Sequence, residues 1–438
     1  MIRISPFSLV CRPCFFCFLL LSLVLLPFTA CGAIASHVTP PSDPACGESA
    51  PRVNNVDQRY LSSIAMQNET TGWGQNYIQK GGVPSGVPTA QQTLLHTTDG
   101  GCHWKIVKSW KYSMEPSPTF SPFFLSASLA LVYVNGDFFL TRDAGDSWSS
   151  VTLPVAAGQK AFPGQIFFLN SHLGWMSAAF SREGVLQFSD LLRSTDGGTS
   201  WTRLHSALPM SLVDQGRITG LSMRSETSGW ITGSSHDSDG REHSWIFLTH
   251  DGGRSWHEQR LPCPQGYVSS QLLVLGQPRF FSARDGILPA STTLTPPVGI
   301  SIFITHDGGE SWQSQPFFPI TNVAFNPELG GGPRIPTFTD LSTGWSSVLT
   351  GAGNDTADSL SLLRTTDGGR SWQPFDQQLP VRPSDPGFQF ITDRVAFALA
   401  YTGDPVNFQS PSELHRTING GKTWTTLRYT IREMTPIV

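Results

Sequence analysis

The chain alternates short β-rich apolar runs with turn-rich polar stretches, and residues 165–204 show the plan. QIFFLN reads as a strand, SHLG as a turn and WMSAAF as a second strand. After a loop, VLQFSDLLRS supplies a third strand, TDGG reverses the chain, and SWTRL runs back as a fourth. Residues 217–261 and 334–375 read the same way.

The reversal is written seven times, as octets of the form Ser/Thr-x-Asp-x-Gly-x-Ser/Thr-Trp. They begin at Thr97, Thr141, Ser194, Thr249, Thr305, Thr365 and Thr417. They end at Trp104, Trp148, Trp201, Trp256, Trp312, Trp372 and Trp424, at separations of 44, 53, 55, 56, 60 and 52 residues. The third position holds Asp99, Asp143, Asp196, Asp251, Asp307 and Asp367, then Asn419 in the last copy; His103 replaces the hydroxyl in the first. A second mark precedes most octets. Gly-Trp pairs place Trp73, Trp175, Trp230 and Trp345, with degenerate copies at Ile287 and Phe397, 25 to 31 residues before the octet tryptophan. The unit around residues 129–148 is shorter and lacks a clear copy. A four-stranded unit of roughly 40–60 residues, repeated seven times, predicts an all-β fold. The expectation is one seven-bladed β-propeller of four-stranded antiparallel blades, with the octet on the outer hairpin between third and fourth strands.

The octet reads as a turn device. Its second glycine can take a positive φ, and the carboxylate and hydroxyl can bond nearby backbone N–H groups. The tryptophan is expected to begin the returning strand and offer a large apolar face. Asn419 keeps an acceptor without the charge. A reaction needs one or two general acids rather than a sevenfold array, so the octet residues are read as structural.

Composition narrows the class. Charged residues are only 14%, with 42 Gly and 33 Pro, which suits short strands and many turns. The net charge of -4 offers no basic field for a polyanion, so no nucleic-acid partner is expected. Arg3 and Arg12 accompany an apolar run over residues 14–28, shorter than the roughly twenty residues a membrane span needs and read as the core of a signal peptide. FTAC, ending at Cys31, resembles a bacterial lipobox with Phe28 where Leu is usual; AIAS offers ordinary cleavage before Ser36. The lipobox is favoured because the Pro/Ser-rich HVTPPSDPACGESAPR follows as a tether. The expected layout is a signal over 1–30, a tether over 31–52 lipid-anchored at Cys31, and the propeller over 53–438. Cys11, Cys14 and Cys17 fall in the signal. Cys46, Cys102 and Cys263 remain, an odd number whose pairing the sequence leaves open and whose spacing matches no zinc site.

The octets resemble Asp-box, or bacterial neuraminidase, repeats. Such repeats occur in sialidases, xyloglucan-active glycosidases, sortilin-like receptors and photosystem II assembly/stability factors. The pattern F-x-[S/T/D]…GW, followed some twenty-six residues later by T-x-DGG-x-[ST]W and repeated in seven units, is most similar to the photosystem II assembly factor-like group. The resemblance covers about residues 53–437. It implies an extracytoplasmic or lumenal protein that holds a partner, while the same blade also serves enzymes.

Enzymatic readings find little to build on. A sialidase resemblance implies three arginines, a Tyr–Glu pair and an aspartate at the central opening. GPRIP, with Arg334, is similar to the arginine motif of that family, but it lies far from the N-terminus and reads as a turn into TFTD. A glycosidase needs two carboxylates across a cleft. Asp214, Asp340, Asp385 and Asp393 lie outside the octets, and nothing selects a pair. His236, Asp237, Asp239 and His243 form one polar loop, read as a solvated hairpin rather than a metal site. The Gly-rich residues 326–336 lack the Lys-Ser/Thr of a phosphate loop.

The resulting expectation is an extracytoplasmic, lipid-anchored, monomeric binding or assembly scaffold for a protein or glycan, without catalysis or cofactor. The alternative is a secreted glycoside hydrolase. Function would sit on loops that break the repeat, foremost residues 81–91, 235–242 and 326–336. A channel wall without paired acids would favour binding.

Overall fold

The computed structural model describes residues 46, 60–80, 89–113, 120–205, 217–236, 242–267, 272–292, 298–320, 333–350, 359–375, 387–401 and 412–432. The described residues form strands and turns without a helix. The strands make seven antiparallel blades arranged as a seven-bladed β-propeller. Blade 3 illustrates the order, with strands Gln159–Phe168, Gly174–Arg182, Val185–Ser194 and Thr202–Arg203 from the axis outward. The octet tryptophan stands one residue before the fourth strand in six blades; only Trp104 lies within it. The last turn-bound residue of the octet thus comes later than the sequence reading placed it.

The two sequence marks keep their spacing because they are cross-strand partners. Gly72 pairs with Thr97, Gly174 with Ser194, Gly229 with Thr249, Gly286 with Thr305 and Gly344 with Thr365. Ala130 with Thr141, and Ala396 with Thr417, complete the set. On the other side the same glycine or alanine faces the large residue ending the first strand: Met66, Phe124, Phe168, Met223, Phe280, Phe338 or Phe390. A methyl group on Gly344 would lie 2.7 Å from the Phe338 ring, and one on Gly229 would overlap Met223 Sδ. The glycine gives room for a bulky neighbour. The residue after it, Trp73, Trp175, Trp230 or Trp345, is buried at the interface with the next blade. Trp345 stacks on Phe390 with centroids 4.0 Å apart, Trp230 on Phe280 at 4.6 Å and Trp73 on Phe124 at 5.5 Å. The hydrophobic core is therefore a ring of clusters between blades.

Blade 2 explains its missing mark. Its second strand is Ala130–Val134, with Leu131 in the tryptophan position, and it turns at once through Asn135 (φ 51°) and Gly136 (φ 111°) into Asp137–Thr141. Asn-Gly suits such a two-residue hairpin because both residues take positive φ. Blade 5 departs differently. Pro289 sits in its second strand, Gly286–Thr292, and has no N–H to donate inward. The first strand breaks there into Val274–Leu275 and Arg279–Phe280, with residues 276–278 opposing 288–289 as a bulge.

The ring closes between blades 7 and 1. Thr430–Arg432 runs parallel to the fourth strand of blade 1, His103–Ser113. Gln389 bonds Met66 in both directions, at 2.8 and 2.7 Å. The Tyr429 hydroxyl accepts from Leu61 N, and Ser412 Oγ donates to Leu61 O. Beside this seam a disulfide joins Cys46 to Cys102, with Cα atoms 5.3 Å apart, and Cys46 packs against the seam cluster of Leu61, Trp104, Phe397 and Tyr429. A residue within the stretch read as tether is therefore covalently fixed to blade 1. Closing a loop over a separation of 56 residues is expected to stabilise the fold by about 4 kcal/mol in the chain-entropy picture. The double variant Cys46→Ser/Cys102→Ser should lower the urea midpoint accordingly. An unchanged midpoint would show that the seam holds without the crosslink.

Candidate functional site

In every blade the octet folds onto itself. In blade 3, Ser194 Oγ donates to Asp196 Oδ1 at 2.8 Å and accepts from Gly198 N at 2.7 Å. Ser200 N and Oγ donate to the same carboxylate at 3.0 and 2.6 Å, and Trp201 Nε1 donates to Gly198 O at 3.1 Å. Asp99, Asp143, Asp251, Asp307 and Asp367 repeat the contact to the first hydroxyl. In blade 1, His103 Nδ1 takes the serine hydroxyl's place, 2.6 Å from Asp99 Oδ2. In blade 7, Asn419 Oδ1 accepts from Thr417 and Thr423 N, while its Nδ2 donates to Thr423 Oγ1. The second glycine of the octet has φ of 86–94° throughout. The residue before it donates its N–H to the turn joining first and second strands, as in Gly197 to His172 O at 2.7 Å and Gly420 to Arg394 O at 2.7 Å.

That bond puts the octets and the first-to-second-strand turns on one face of the ring, here the clip face. In an antiparallel blade the second-to-third-strand connections and the links between blades must then leave from the opposite face, the loop face. Of the three segments singled out in the sequence, residues 81–88, 237–241 and 326–332 lie outside the described residues. Their flanks all point to the loop face: Lys80 and Thr89 in blade 1, His236 and Glu242 in blade 4, and Pro333 entering blade 6. Arg334, read as part of a turn, runs beside the second strand as an extension of the innermost one, bonding Ser347 O through its N–H and accepting from Ser346 Oγ.

The channel wall is made by the innermost strands. Their sequences are SIAM, FSPFF, QKAFPGQIFF, RITGLSM, VL with RF, TF and GFQF, and none contains Asp or Glu. Lys160, Arg217 and Arg279 are their charged residues, with Arg334 just ahead of the blade 6 strand. Between blades 3, 4, 5 and 6 the wall opens into a cavity of about 490 Å³, lined by Phe167, Met223, Gln277, Arg279, Ile335 and Phe338 among others. The break in the first strand of blade 5 exposes Pro289 to it. Arg279 donates to Phe338 O at 2.7 Å, and burial lowers its pKa. Gln277 donates to Leu221 O across to blade 4.

The carboxylates weighed as glycosidase groups are elsewhere. Asp214 and Asp385 lie outside the described residues. Asp340 and Asp393 occupy first-to-second-strand turns on the clip face. Asp340 Oδ1 accepts from Ser342 N, Ser342 Oγ and Thr343 N; burial pushes its pKa up, but these bonds outweigh burial and leave it lowered. Among the described residues no group of His, Cys, Asp and Glu could hold a metal ion. Of the polar loop in blade 4, Asp237 and Asp239 are outside the described residues, and His243 contacts Ser235 at 3.3 Å. Cys31 is outside them too. The sequence reading missed the pair of buried Asp190 and half-buried Arg203, 3.0 Å apart in blade 3. Its signal was an aspartate in the middle of an apolar third strand.

No protein-family description and no curated protein matches the chain. Solved structures do resemble it. YCF48 bound to D1 peptide is 17% identical with a TM-score of 0.46, over 83% of this chain and 94% of that one. The Niastella koreensis GH74 enzyme is 12% identical with a TM-score of 0.31, over 83% and 68%. The Hadza microbial sialidase Hz136 is 12% identical with a TM-score of 0.40, over 85% and 87%. The propeller assignment stands on strand topology independently of them.

The octet geometry yields a pH expectation. Burial pushes the carboxyls of Asp196, Asp251 and Asp307 up, yet the hydroxyl and N–H bonds together hold each at about 2. A carboxyl lowered on folding contributes stability above its unfolded value near 4 and loses it as pH falls toward 2. The melting temperature should therefore drop between pH 4 and pH 2. Asp196→Asn, imitating Asn419, should keep the turn and reduce that drop. Asp196→Ala should cost about 1–2 kcal/mol at neutral pH. Identical melting profiles for wild type and both variants would refute the turn assignment.

Proposed function

We propose that the chain is an extracytoplasmic, lipid-anchored propeller that binds another protein, or a glycan, through the rim of its loop face, without turnover. The observation that carries this is the channel wall: among the described residues its seven innermost strands contain no carboxylate, so the wall they form presents no acid–base pair. In this reading the octet aspartates are turn elements, since each is engaged by its own loop on the opposite face. The Cys46–Cys102 bond supports an oxidising compartment, where such crosslinks persist. It agrees with a signal peptide and lipidation at Cys31, the remaining tether then running from residue 32 to 45.

Two measurements test the proposal. Purified mature protein should release no product from a panel of sialosides and β-glucans. Robust hydrolysis, removed by one carboxylate substitution outside the octets, would make it a glycoside hydrolase. Mass spectrometry of the mature N-terminus should find a lipid-modified Cys31; an unmodified start at Ser36 would replace the anchor with ordinary secretion.

A further inference from the structure

The channel wall is irregular at blade 5, where Pro289 leaves residues 276–278 as a bulge in the inner strand. Blade 4 braces that bulge. Thr219 Oγ1 donates to Leu275 O at 2.8 Å, Thr232 Oγ1 to Gly276 O at 2.9 Å and Gln277 Nε2 to Leu221 O at 2.7 Å. Within blade 5, Gly276 N donates to Pro289 O at 2.8 Å. A methyl group on Gly220 would lie 2.8 Å from Gln277 Cα, so glycine there admits the close approach of the bulge. The irregularity is held from both sides, and the cavity of about 490 Å³ lies against it.

The cavity belongs to the clip-face half of the wall. Every residue lining it lies within four positions of a first-to-second-strand turn. Met223, Phe280 and Phe338 end their strands there, and Gln277, Pro289 and Ile335 are the farthest from the turns. The turns concerned, residues 169–173, 224–228, 281–285 and 339–343, are all described. The connections of blades 3 to 6 that fall outside the described residues leave from the loop face, at the other end of the strands. Residues 47–59 link Cys46, fixed to blade 1, with the first strand of blade 1, three blades away from both blade 4 and blade 5.

The lining is mostly apolar, and Arg279 is its one charged residue. The guanidinium donates to Phe338 O at 2.7 Å and lies 5.4 Å from the centre of the Phe281 ring, with no ion pair among the described residues. Since a guanidinium has five N–H donors, most of them are left for another acceptor. Arg279 is exposed to the channel, yet the surrounding protein desolvates it enough to lower its pKa. Ser222, also in the lining, is 4% exposed, and its hydroxyl has no hydrogen-bond partner among the described residues.

We infer that this cavity is a binding site for a small carboxylic acid with an aromatic or branched aliphatic body. The carboxylate sits on Arg279, which suits paired N–H···O bonds to such a group. The body packs among Phe167, Met223, Ile335 and Phe338, and Ser222 bonds a second polar group of the ligand. A largely apolar space of a few hundred Å³ with a few convergent polar groups is typical of small-molecule sites. A sugar acid fits poorly, because its hydroxyls would face phenylalanine, methionine and isoleucine without partners. The site is separate from the loop-face rim proposed above and does not depend on it.

The test titrates the purified mature chain with 3-phenyllactate, followed by ligand-observed NMR. 3-Phenyllactamide, which lacks the charge, and glucuronate, which lacks the apolar body, are the comparison probes. Phenyllactate should bind with Kd on the order of 0.1 mM, and the amide and glucuronate at least about tenfold more weakly. Arg279→Gln should weaken phenyllactate at least about tenfold. Arg334→Gln, which removes a nearby wall cation outside the lining, should leave it unchanged. Thr337→Trp, at an exposed lining position, fills the cavity with Arg279 in place and should abolish binding. Circular dichroism and melting check that each variant folds, and Thr337→Trp keeps the test decisive if Arg279→Gln does not. No phenyllactate binding by the intact chain overturns the inference, as does unchanged affinity in the folded cavity variants. Equal binding of the amide or of glucuronate overturns the ligand chemistry. Equal loss in Arg279→Gln and Arg334→Gln would show diffuse attraction to the wall and overturn the site. Each of these outcomes is independent of the hydrolysis assay, which tests the binding reading itself.

Discussion

The structure depends on one recurrent contact, the aromatic side chain of a second strand pressed against the residue that ends the first strand of the next blade. Trp73 on Phe124, Trp230 on Phe280 and Trp345 on Phe390 are its clearest copies. A four-stranded blade cannot bury either face alone, so its stability is a property of its neighbours. The glycine before the tryptophan serves this contact by making room for the same Phe or Met of its own blade. Deep burial of a large ring also demands a partner for the indole N–H. Trp73 donates to Ser126 O and Trp175 to Gly252 O, both in the following blade. Gln259 Oε1 accepts from Trp230 and Trp312 together, and its amide donates to Gly309 O. Phe375 holds the corresponding place in blade 6, and there Trp345 and Trp424 keep buried N–H groups without an acceptor among the described residues. The interface of blades 6 and 7 thus relies on ring stacking where that of blades 4 and 5 adds polar bonds.

The octet is subordinate to that contact. Its first hydroxyl residue is the cross-strand partner of the glycine or alanine, so the clip forms at the level where the interface ring is held. Its left-handed pair, Gly197 at φ 70° and Gly198 at 88° in blade 3, aims one N–H at the neighbouring turn and another at the starting hydroxyl. Blade 2 shows how much of this is obligatory: Ala144 takes the first position at φ 59°, while the second remains glycine in every copy. A methyl group on Gly145 would press against Val107 of blade 1 at 2.5 Å, which adds a packing reason to the conformational one.

Blade number, strand order and the clip position were legible in the sequence because they repeat. A periodic signal averages over local exceptions. What was not legible is what occurs once. Leu131 and Ala130 fill the Gly-Trp position of blade 2 with ordinary residues, so only the register reveals them. Asn135-Gly136 between apolar strands was a usable hairpin signal. Pro289 inside a strand pattern signalled the broken inner strand of blade 5, and with it the cavity. The pairing of Cys46 with Cys102 needed three dimensions, since ring closure brings the segment before the first blade to the octet of that same blade. Likewise, that the described residues of the inner strands include no carboxylate becomes visible only once those seven strands are known.

Closing the ring uses one face and leaves the other open to variation. On the clip face every turn answers to a partner: octet to first-to-second-strand turn, arginine to neighbouring carbonyl. Arg224 of blade 4 bonds Ala283 O of blade 5, and Arg142 of blade 2 bonds the octet of blade 3. A loop inserted there would break such a bond in its own blade and disturb the next. Among the described residues the loop face shows no equivalent register, and strand height differs there from blade to blade, as between blades 1, 2 and 3. A repeat that enforces symmetry at one end of its strands therefore directs asymmetry, and with it any selective surface, to the other.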